Sequence, residues 1–425
     1  MYLCRVITLI VEIVRLAMER VTVKGLIGRI NSYNLKTRVV IYAALIIEAG
    51  FVISAIQVLL GGLGCTGMSN HMPWALWIVG DLGLIALGGG AFFTGFMFYI
   101  LHIDELKPLV NSAVLIGLLC YVFTPVFIIF DVGQPVRSWF LYIYPNWGRG
   151  LMPVSMMTEV AFCVLMYLCI LCVEFTPVVL KNRMLAKYRF LREAGHYLHK
   201  MMWIMAATGT FLSFFHQGSL GGLFGVLYAR PAWYGPHLFF LSIIGAMAAG
   251  SSFTVFVTRF YEIKVGRESI PRAAYGKLAG ISGNVFLIFL ILRIVDICIL
   301  AFYYVPLADR SFPELWSGIN GMYLLVVELV LLAVSVVLLN GFKKRDVCML
   351  AGAASGVTAM IINKLVLTIR GCAVPCFPWR RFNTYIPSAQ EVFVTAGIFV
   401  SMVFLYILAV KYLPVFPERD LNGPH

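Results

Sequence analysis

An acidic residue, Asp81, lies in a stretch of the chain that is otherwise apolar enough to cross a membrane. The stretch runs from Met72 to Leu101 and exceeds the roughly 20 apolar residues that a bilayer requires. Trp74 and Trp77 precede the acid, as expected of an interfacial aromatic belt. Because a carboxylate inside a membrane costs about 2.5 to 3.5 kcal/mol on insertion scales, it should face a polar pocket and carry a function. A structural hydrogen bond to a neighbouring helix is the alternative.

Other charged residues also fall inside apolar segments. Arg293 and Asp296 are three residues apart and can pair on one helical face. With Lys364 and Glu159 they are candidates for a proton relay, because such relays are usually built from buried ionisable groups. A neutralised structural pair is the alternative for Arg293 and Asp296.

The seven histidines are poorly placed to hold a haem or a metal ion. We predict none at the centre of a span, where a buried b-type haem would need two, and no Cys-x-x-Cys-His motif for covalent haem occurs. His71, His216 and His237 are predicted at the same membrane surface as Asp81, as proton donors and acceptors. They lack the carboxylate or thiolate spacing of a metal site. We therefore expect no haem and no metal in this chain.

The composition is that of a polytopic membrane protein. Hydrophobic residues make up 61% of the chain and charged residues 12%, against about a quarter charged in soluble domains. Apolar segments of helical length recur, whereas a β-barrel would show alternating segments of about ten residues, so we predict an all-α fold. The net charge of +13 does not indicate a nucleic acid partner, because the basic residues lie between the spans.

Ten apolar segments predict a membrane domain of ten transmembrane helices over residues 39–413. Residues 1–38 contain an amphipathic pattern that suits a cytoplasmic or interfacial helix, and residues 414–425 form a cytoplasmic tail. The segments cover about 39–60, 74–101, 112–130, 152–176, 201–215, 237–258, 279–305, 319–340, 347–368 and 391–413.

The second and sixth segments begin in a similar way. Pro73-Trp-Ala-Leu-Trp-Ile opens one and Pro236-His-Leu-Phe-Phe-Leu opens the other, and both continue into small residues, at 88–91 and 248–252. Small residues permit close contact between membrane helices. The pattern suggests two related four-helix bundles plus two additional helices.

Lysine and arginine residues predict the orientation. With a cytoplasmic N-terminus, 24 of them lie on the cytoplasmic side and 7 on the outer side. The positive-inside rule therefore places both termini in the cytoplasm. An interfacial belt explains the aromatic residues of the outer loops, but it does not explain why Asp131 and Arg137 are there. Together with His71 and His237, these two are candidates for a site entrance or for partner docking.

Three cysteines are predicted on the outer side. Cys372 and Cys376 lie in the last outer loop and could pair with each other or with Cys65. Their connectivity does not follow from the sequence.

Three motifs, taken in order, resemble one known family. They are Pro73-Trp-Ala-Leu-Trp, Asp131-Val-Gly-Gln-Pro-Val-Arg-Ser-Trp and Phe215-His-Gln-Gly-Ser-Leu-Gly-Gly-Leu-Phe224, with Trp233-Tyr-Gly-Pro-His beyond. Their order and sidedness resemble the NrfD/PsrC family of membrane quinone-reactive subunits. The resemblance is closest to its ten-helix branch, which includes the HybB, DsrP, HmcC and QrcD types.

The resemblance implies a haem-free subunit that binds menaquinone or another quinone near the outer face of a bacterial or archaeal cytoplasmic membrane. It implies a periplasmic, ferredoxin-like iron–sulfur partner, with a multihaem cytochrome c or a catalytic subunit beyond it, as in anaerobic respiration. Of the positions that match the family's pocket, Trp77, Asp81 and His216 are assigned to quinone binding and proton transfer. Asp131 and Arg137 are assigned to the entrance or to partner docking.

The predicted function is exchange of electrons between that iron–sulfur partner and the quinone pool, with or without coupled proton translocation. A carboxylate and an imidazole would handle the two protons of a quinol. A secondary transporter, or an ion-translocating protein without a redox role, is the competing class, because repeated bundles and midplane charges occur there too. Such a protein should purify alone with its substrate, whereas a redox subunit should purify with redox partners. A purely structural anchor would leave Asp81 and His216 without a role.

Overall fold

The computed structural model describes residues 31–32, 34–143, 155–181, 188–230, 232–316, 321–377 and 379–417. Nearly all of the amphipathic segment predicted in residues 1–38 lies outside these ranges. Residues 418–425 of the predicted tail also lie outside them.

The described part of the chain is helical and contains no strand, which confirms the predicted all-α fold. Its ten longest helices match the ten predicted segments. They are α1 (Leu35–Gly61), α2 (Leu76–Tyr99), α3 (Lys107–Val132), α4 (Met156–Leu180), α5 (Met202–Gly225), α6 (Leu238–Val265), α7 (Arg272–Ile299), α8 (Gly321–Gly341), α9 (Asp346–Leu365) and α10 (Ala389–Tyr412). Within the described ranges, nine of these helices are long and apolar enough to span a membrane. Helix α5 is long enough but less apolar, so a count of ten spans stays a prediction.

Local sequence signals set several of the helix ends. The Asn34 side chain accepts the backbone N–H of Thr37 at 3.1 Å and begins α1. Ser388 and Glu391 form a capping box at the start of α10, which satisfies two of the free N–H groups there. Gly266 ends α6 with a φ of 73°, a conformation that glycine adopts without steric cost.

The helices form two bundles of four. Helices α2, α3, α4 and α5 pack together, and α6, α7, α8 and α9 form the second bundle. Helices α1 and α10 pair with each other and lie against α2 and α3. This is the predicted architecture of two four-helix bundles with two additional helices.

The bundles meet where α2 crosses α6. A Cβ atom on Gly90 would collide with the backbone at Gly250, and one on Gly250 would collide with the backbone at Gly90. Both glycines belong to the small-residue stretches noted in the sequence. The two similar segments are therefore packed directly on each other, and close backbone contact at this crossing requires glycine.

Helix α5 ends later than the sequence predicts. The sequence predicts a segment over 201–215, but the helix continues to Gly225. Glycine has a weak helix propensity, yet Gly218 and Gly221 lie against α6 so closely that a Cβ atom would collide with it. Packing between helices therefore outweighs the local preference. As a result, His216 lies inside a helix and not at its end.

A buried ionic cluster joins α6, α7 and α9 at the ends opposite Asp81. Arg259 is 1% exposed, and its guanidinium donates to Asp346 at 2.8 Å, Glu268 at 3.1 Å and Glu262 at 3.3 Å. Glu262 also accepts the hydroxyl of Tyr275 at 2.9 Å. A buried cation is tolerated only when it is paired and hydrogen-bonded in this way.

Replacement of Arg259 should therefore destabilise the fold. We expect Arg259→Ala to cost about 3 kcal/mol, because it leaves Glu262 buried without its cation. Arg272→Ala is the matched control, since Arg272 is exposed and its surface bridges to Glu268 and Asp346 should contribute less than about 1 kcal/mol each. Thermal unfolding of the purified protein in detergent measures the difference, and equal melting temperatures for the two variants would contradict this account.

Candidate functional site

The carboxylate of Glu391 lies at the start of α10 and is fully buried. Its Oε2 accepts the backbone N–H groups of Gly67 at 2.8 Å and Ser388 at 2.9 Å. Its Oε1 accepts the hydroxyl of Tyr385 at 2.5 Å. Three donors thus satisfy this carboxylate, which suits a structural role.

The same residues hold the beginning of α2. The Tyr385 hydroxyl oxygen accepts the backbone N–H of Leu76 at 3.2 Å. Burial and the Glu391 carboxylate raise the pKa of Tyr385 above its ordinary value, so the phenol keeps the proton that it donates. The indole N–H of Trp77 donates to the carbonyl of Glu391 at 3.3 Å, and the ring packs against Phe130. Trp77 therefore anchors α2 to α3 and α10.

Asp81 lies one turn deeper than Trp77 on α2 and is 4% exposed. Its Oδ1 is buried and has no hydrogen-bond partner among the described residues. The same holds for Oδ1 of Asp131, which the sequence places in an outer loop but which belongs to the last turn of α3. The two acids flank one aromatic contact: Trp77, one turn before Asp81, packs against Phe130, the residue before Asp131, with ring centroids 5.8 Å apart. Such a pair of acids requires a proton or a hydrogen-bonding ligand.

His216 lies deeper in the first bundle and is fully buried. Its Nδ1 is 2.7 Å from the carbonyl of Leu212 and its Nε2 is 2.6 Å from the hydroxyl of Tyr121. A carbonyl can only accept, so Nδ1 carries a proton and a neutral ring accepts from Tyr121 at Nε2. Tyr167 packs edge-on against Tyr121, with ring centroids 4.6 Å apart.

His216 lies deeper in the protein than the sequence predicts, which is at the outer surface. The ring of Tyr121 lies against Gly88, which is seven residues beyond Asp81 and so roughly 10 Å further along α2. Gln217 donates to the carbonyl of Ile85 at 2.8 Å and fixes α5 at this level. His216 is therefore a central histidine. Both of its ring nitrogens are engaged, so binding a haem iron would break one of these hydrogen bonds.

A second polar group occupies the other bundle. Arg293 pairs with Asp296 on α7 and donates to Glu328 of α8 at 3.0 Å. Asn363 of α9 donates to Glu328 at 2.8 Å, and Lys364 is buried beside them. Arg293, Asp296, Asn363 and Lys364 line a cavity of about 60 Å³, enough for a few water molecules. The structure thus joins three of the four predicted relay residues.

The structure places His237 beside the second polar group and Glu159 in the first bundle. His237 precedes α6, and its Nε2 lies 2.6 Å from Oδ1 of Asp296, so it joins the second polar group and not the surroundings of Asp81. Glu159 lies in the first turn of α4 and accepts the thiol of Cys163 at 3.3 Å. Glu159 therefore belongs to the first bundle, apart from Arg293 and Asp296.

The remaining predicted positions lie at the surface. Arg137 is exposed in the 3₁₀-helix Pro135–Leu141, close in sequence to Asp131. His71 is exposed, and its carbonyl accepts the side-chain amide of Asn383 at 3.4 Å. The cysteines considered for pairing, which are Cys65, Cys372 and Cys376, are free thiols.

Comparison with known proteins identifies the family. The family profile described as polysulphide reductase, NrfD, matches residues 64–376. The chain therefore belongs to the NrfD family, as the sequence motifs predict, and is a multi-pass integral membrane protein.

Three relatives are similar over most of their length. The integral membrane subunit of menaquinone reductase from Nitratidesulfovibrio vulgaris is 35% identical, over 87% of this chain and 90% of the relative. The probable Ni/Fe-hydrogenase 2 b-type cytochrome subunit of Escherichia coli is 24% identical, over 90% and 93%. A selenate reductase subunit of Mesobacillus selenatarsenatis is 23% identical, over 86% and 91%. Each of these relatives is named as a subunit.

Removal of the Glu391 carboxylate should loosen the first turns of α2 and α10. We expect Glu391→Ala to lower the free energy of unfolding by about 2–3 kcal/mol, because three donors lose a charged acceptor. Glu314→Ala is the comparison, since Glu314 also closes a capping box but is only half-buried, pairs with Arg310 and lies outside this contact. Melting temperatures in detergent test this, and an equal decrease for both variants would show that only the capping box matters.

Proposed function

We propose that this chain is the quinone-reactive membrane subunit of an oxidoreductase complex. It would exchange electrons between a periplasmic, ferredoxin-like iron–sulfur partner and the menaquinone pool. The observation that carries the proposal is the pair Asp81 and Asp131, each of which has a buried carboxylate oxygen without a partner among the described residues, in the region that matches the NrfD family. The relative named as a menaquinone reductase subunit supports the choice of quinone.

Asp81 is the proposed proton donor and acceptor for the quinone oxygen. In its neutral form it would donate a hydrogen bond to a quinone carbonyl, and as a carboxylate it would accept the proton of a quinol. Repulsion between the two carboxylates would favour protonation of one member of the pair. Tyr121 and His216, deeper in the same bundle, would return the proton to this pair.

The sequence predicts that Trp77 binds the quinone, whereas this proposal gives it a positioning role. Its N–H and one side of its ring are already used by Glu391 and Phe130. It would therefore position Asp81 from one turn away. Arg137 and His71, exposed at the outer surface, are the proposed docking residues for the iron–sulfur partner.

We also infer the membrane in which the chain lies and the cofactors that it uses. The lysine and arginine distribution supports a cytoplasmic membrane with both termini in the cytoplasm. The two hydrogen bonds of His216 support a chain without haem. Electrons would then reach the quinone from cofactors in partner subunits, such as an iron–sulfur protein, a multihaem cytochrome c or a further catalytic subunit.

The substitution Asp81→Asn tests the site. It preserves the shape of the side chain but removes its ability to carry a proton. We expect quinone turnover by the purified complex to fall at least about a hundredfold, within the usual contribution of general acid–base catalysis, while the subunits still assemble.

Two further variants complete this experiment. Asp104→Asn makes the same change at an exposed position and should leave turnover unchanged. Arg137→Ala should weaken assembly with the partner or slow the transfer of electrons from it. Near-normal turnover by the Asp81→Asn complex would overturn the assignment.

The second polar group is proposed as a proton relay at the outer side. Asp296 lies near the end of α7 and contacts His237, which is 31% exposed. His237 would exchange protons with the aqueous phase, and Asp296 and Lys364 would pass them through the cavity. Arg293, which stays protonated, would hold Asp296 and Glu328 in place. This relay would deliver protons to the residues around Asp81 in the first bundle.

Asp296→Asn should slow proton exchange linked to quinone turnover about tenfold while electron transfer from the partner stays measurable. Asp309→Asn is the control, because Asp309 is exposed and has a φ of 53°, which asparagine also adopts. Proton exchange is followed with a pH-sensitive dye in single-turnover measurements. If electron transfer and proton exchange fall together, or neither changes, the group is structural.

A further inference from the structure

A groove of about 750 Å³ opens beside the last turn of α3. One wall is the end of α1 and the turn after it, residues 59–63. The other wall is the segment 132–137, which leads from α3 into the 3₁₀-helix Pro135–Leu141. These walls lie at the outer ends of two helices that are apolar enough to span the membrane.

The groove is lined by aliphatic side chains together with the polar Gln134 and Arg137. Leu60 is 84% exposed and Val136 is 83% exposed, and both line it. Exposed apolar side chains at the end of a membrane helix are expected to face lipid. Arg137, at the rim, is placed to reach the headgroup region.

The groove adjoins the carboxylate pair. Asp131, with its unpartnered Oδ1, directly precedes Val132 in the wall of the groove. Leu63, in the opposite wall, packs so closely against Gly133 that a Cβ atom on Gly133 would collide with it. Phe130, the residue before Asp131, packs against Trp77. The wall of the groove therefore continues along the chain into residues that contact Trp77, one turn from Asp81.

We propose that this groove is a lateral portal that holds the isoprenoid tail of the quinone while the ring reaches Asp131 and Asp81. The inference rests on the proposed function. The quinone tail is apolar and stays in the bilayer, so a ring that reacts inside the protein must pass through an opening at lipid level. The groove has the volume, exposed aliphatic side chains in both walls and a position next to the unpartnered oxygen of Asp131, as this requires.

Filling the groove tests the portal in the purified complex. Leu60→Trp and Val136→Trp each place a large side chain at a highly exposed position, where the fold tolerates it. Turnover is measured with long-tailed menaquinone and with menadione, which has the same ring without the tail. Val326→Trp, at an exposed position of α8, is the matched control.

We expect each groove variant to raise the KM for long-tailed menaquinone about tenfold, because the tail loses its contacts. The KM for menadione and the kcat for both quinones should stay within about twofold of wild type, as should all values for Val326→Trp. Unchanged values for both quinones, or equal losses for both, would overturn the portal. A change in co-purified phospholipid without a change in KM would also overturn it and assign the groove to a lipid. Absence of turnover with either quinone in an intact wild-type complex would instead overturn the proposed function.

Discussion

The hydrogen bonds of Glu391 hold together the ends of the helices at which the candidate site lies. An acid inside an apolar bundle must be satisfied by donors, by a cation or by a proton. Glu391 is satisfied by donors, which are two backbone N–H groups and the phenol of Tyr385. Its carbonyl then fixes Trp77. The position of Asp81 one turn further along α2 depends on this contact.

The same requirement separates structural acids from reactive ones. Glu262 and Asp346 are paired with Arg259, and Glu328 is paired with Arg293. These acids are neutralised by the protein itself. Asp81 and Asp131 each keep an unpartnered oxygen among the described residues. Buried polar groups left in this state are costly to the fold, which is the physical reason to connect them with a ligand and a proton.

Much of the architecture could be predicted from the sequence, because hydropathy reports directly on burial in a membrane. The apolar segments predict the positions of the helices, and the two small-residue stretches predict close helix contact, which occurs at Gly90 and Gly250. Asp81 could be singled out because an acid in an apolar segment is visible without a structure. The prediction of a loop at Asp131 is wrong, because α3 continues for two residues beyond the predicted segment, to Val132.

The remaining features depend on contacts between distant parts of the chain. Glu391 and Trp77 are 314 residues apart, and the only local signal is the Ser-x-x-Glu capping box of α10. Tyr121 gives no signal, because one tyrosine in an apolar helix is ordinary. The central position of His216 does not follow from the sequence because the glycines after it suggest a loop, whereas contact with α6 keeps them helical.

The central claim is that the Asp81 carboxyl exchanges a proton with a bound quinone. Infrared difference spectra of the purified complex, recorded between oxidised and reduced quinone, test this directly. The account predicts a carboxyl C=O band that changes with quinone reduction, shifts in deuterium oxide and disappears in Asp81→Asn, while the Asp104→Asn complex keeps it. A difference spectrum that is identical in the wild type and in Asp81→Asn, with quinone bound in both, would contradict it.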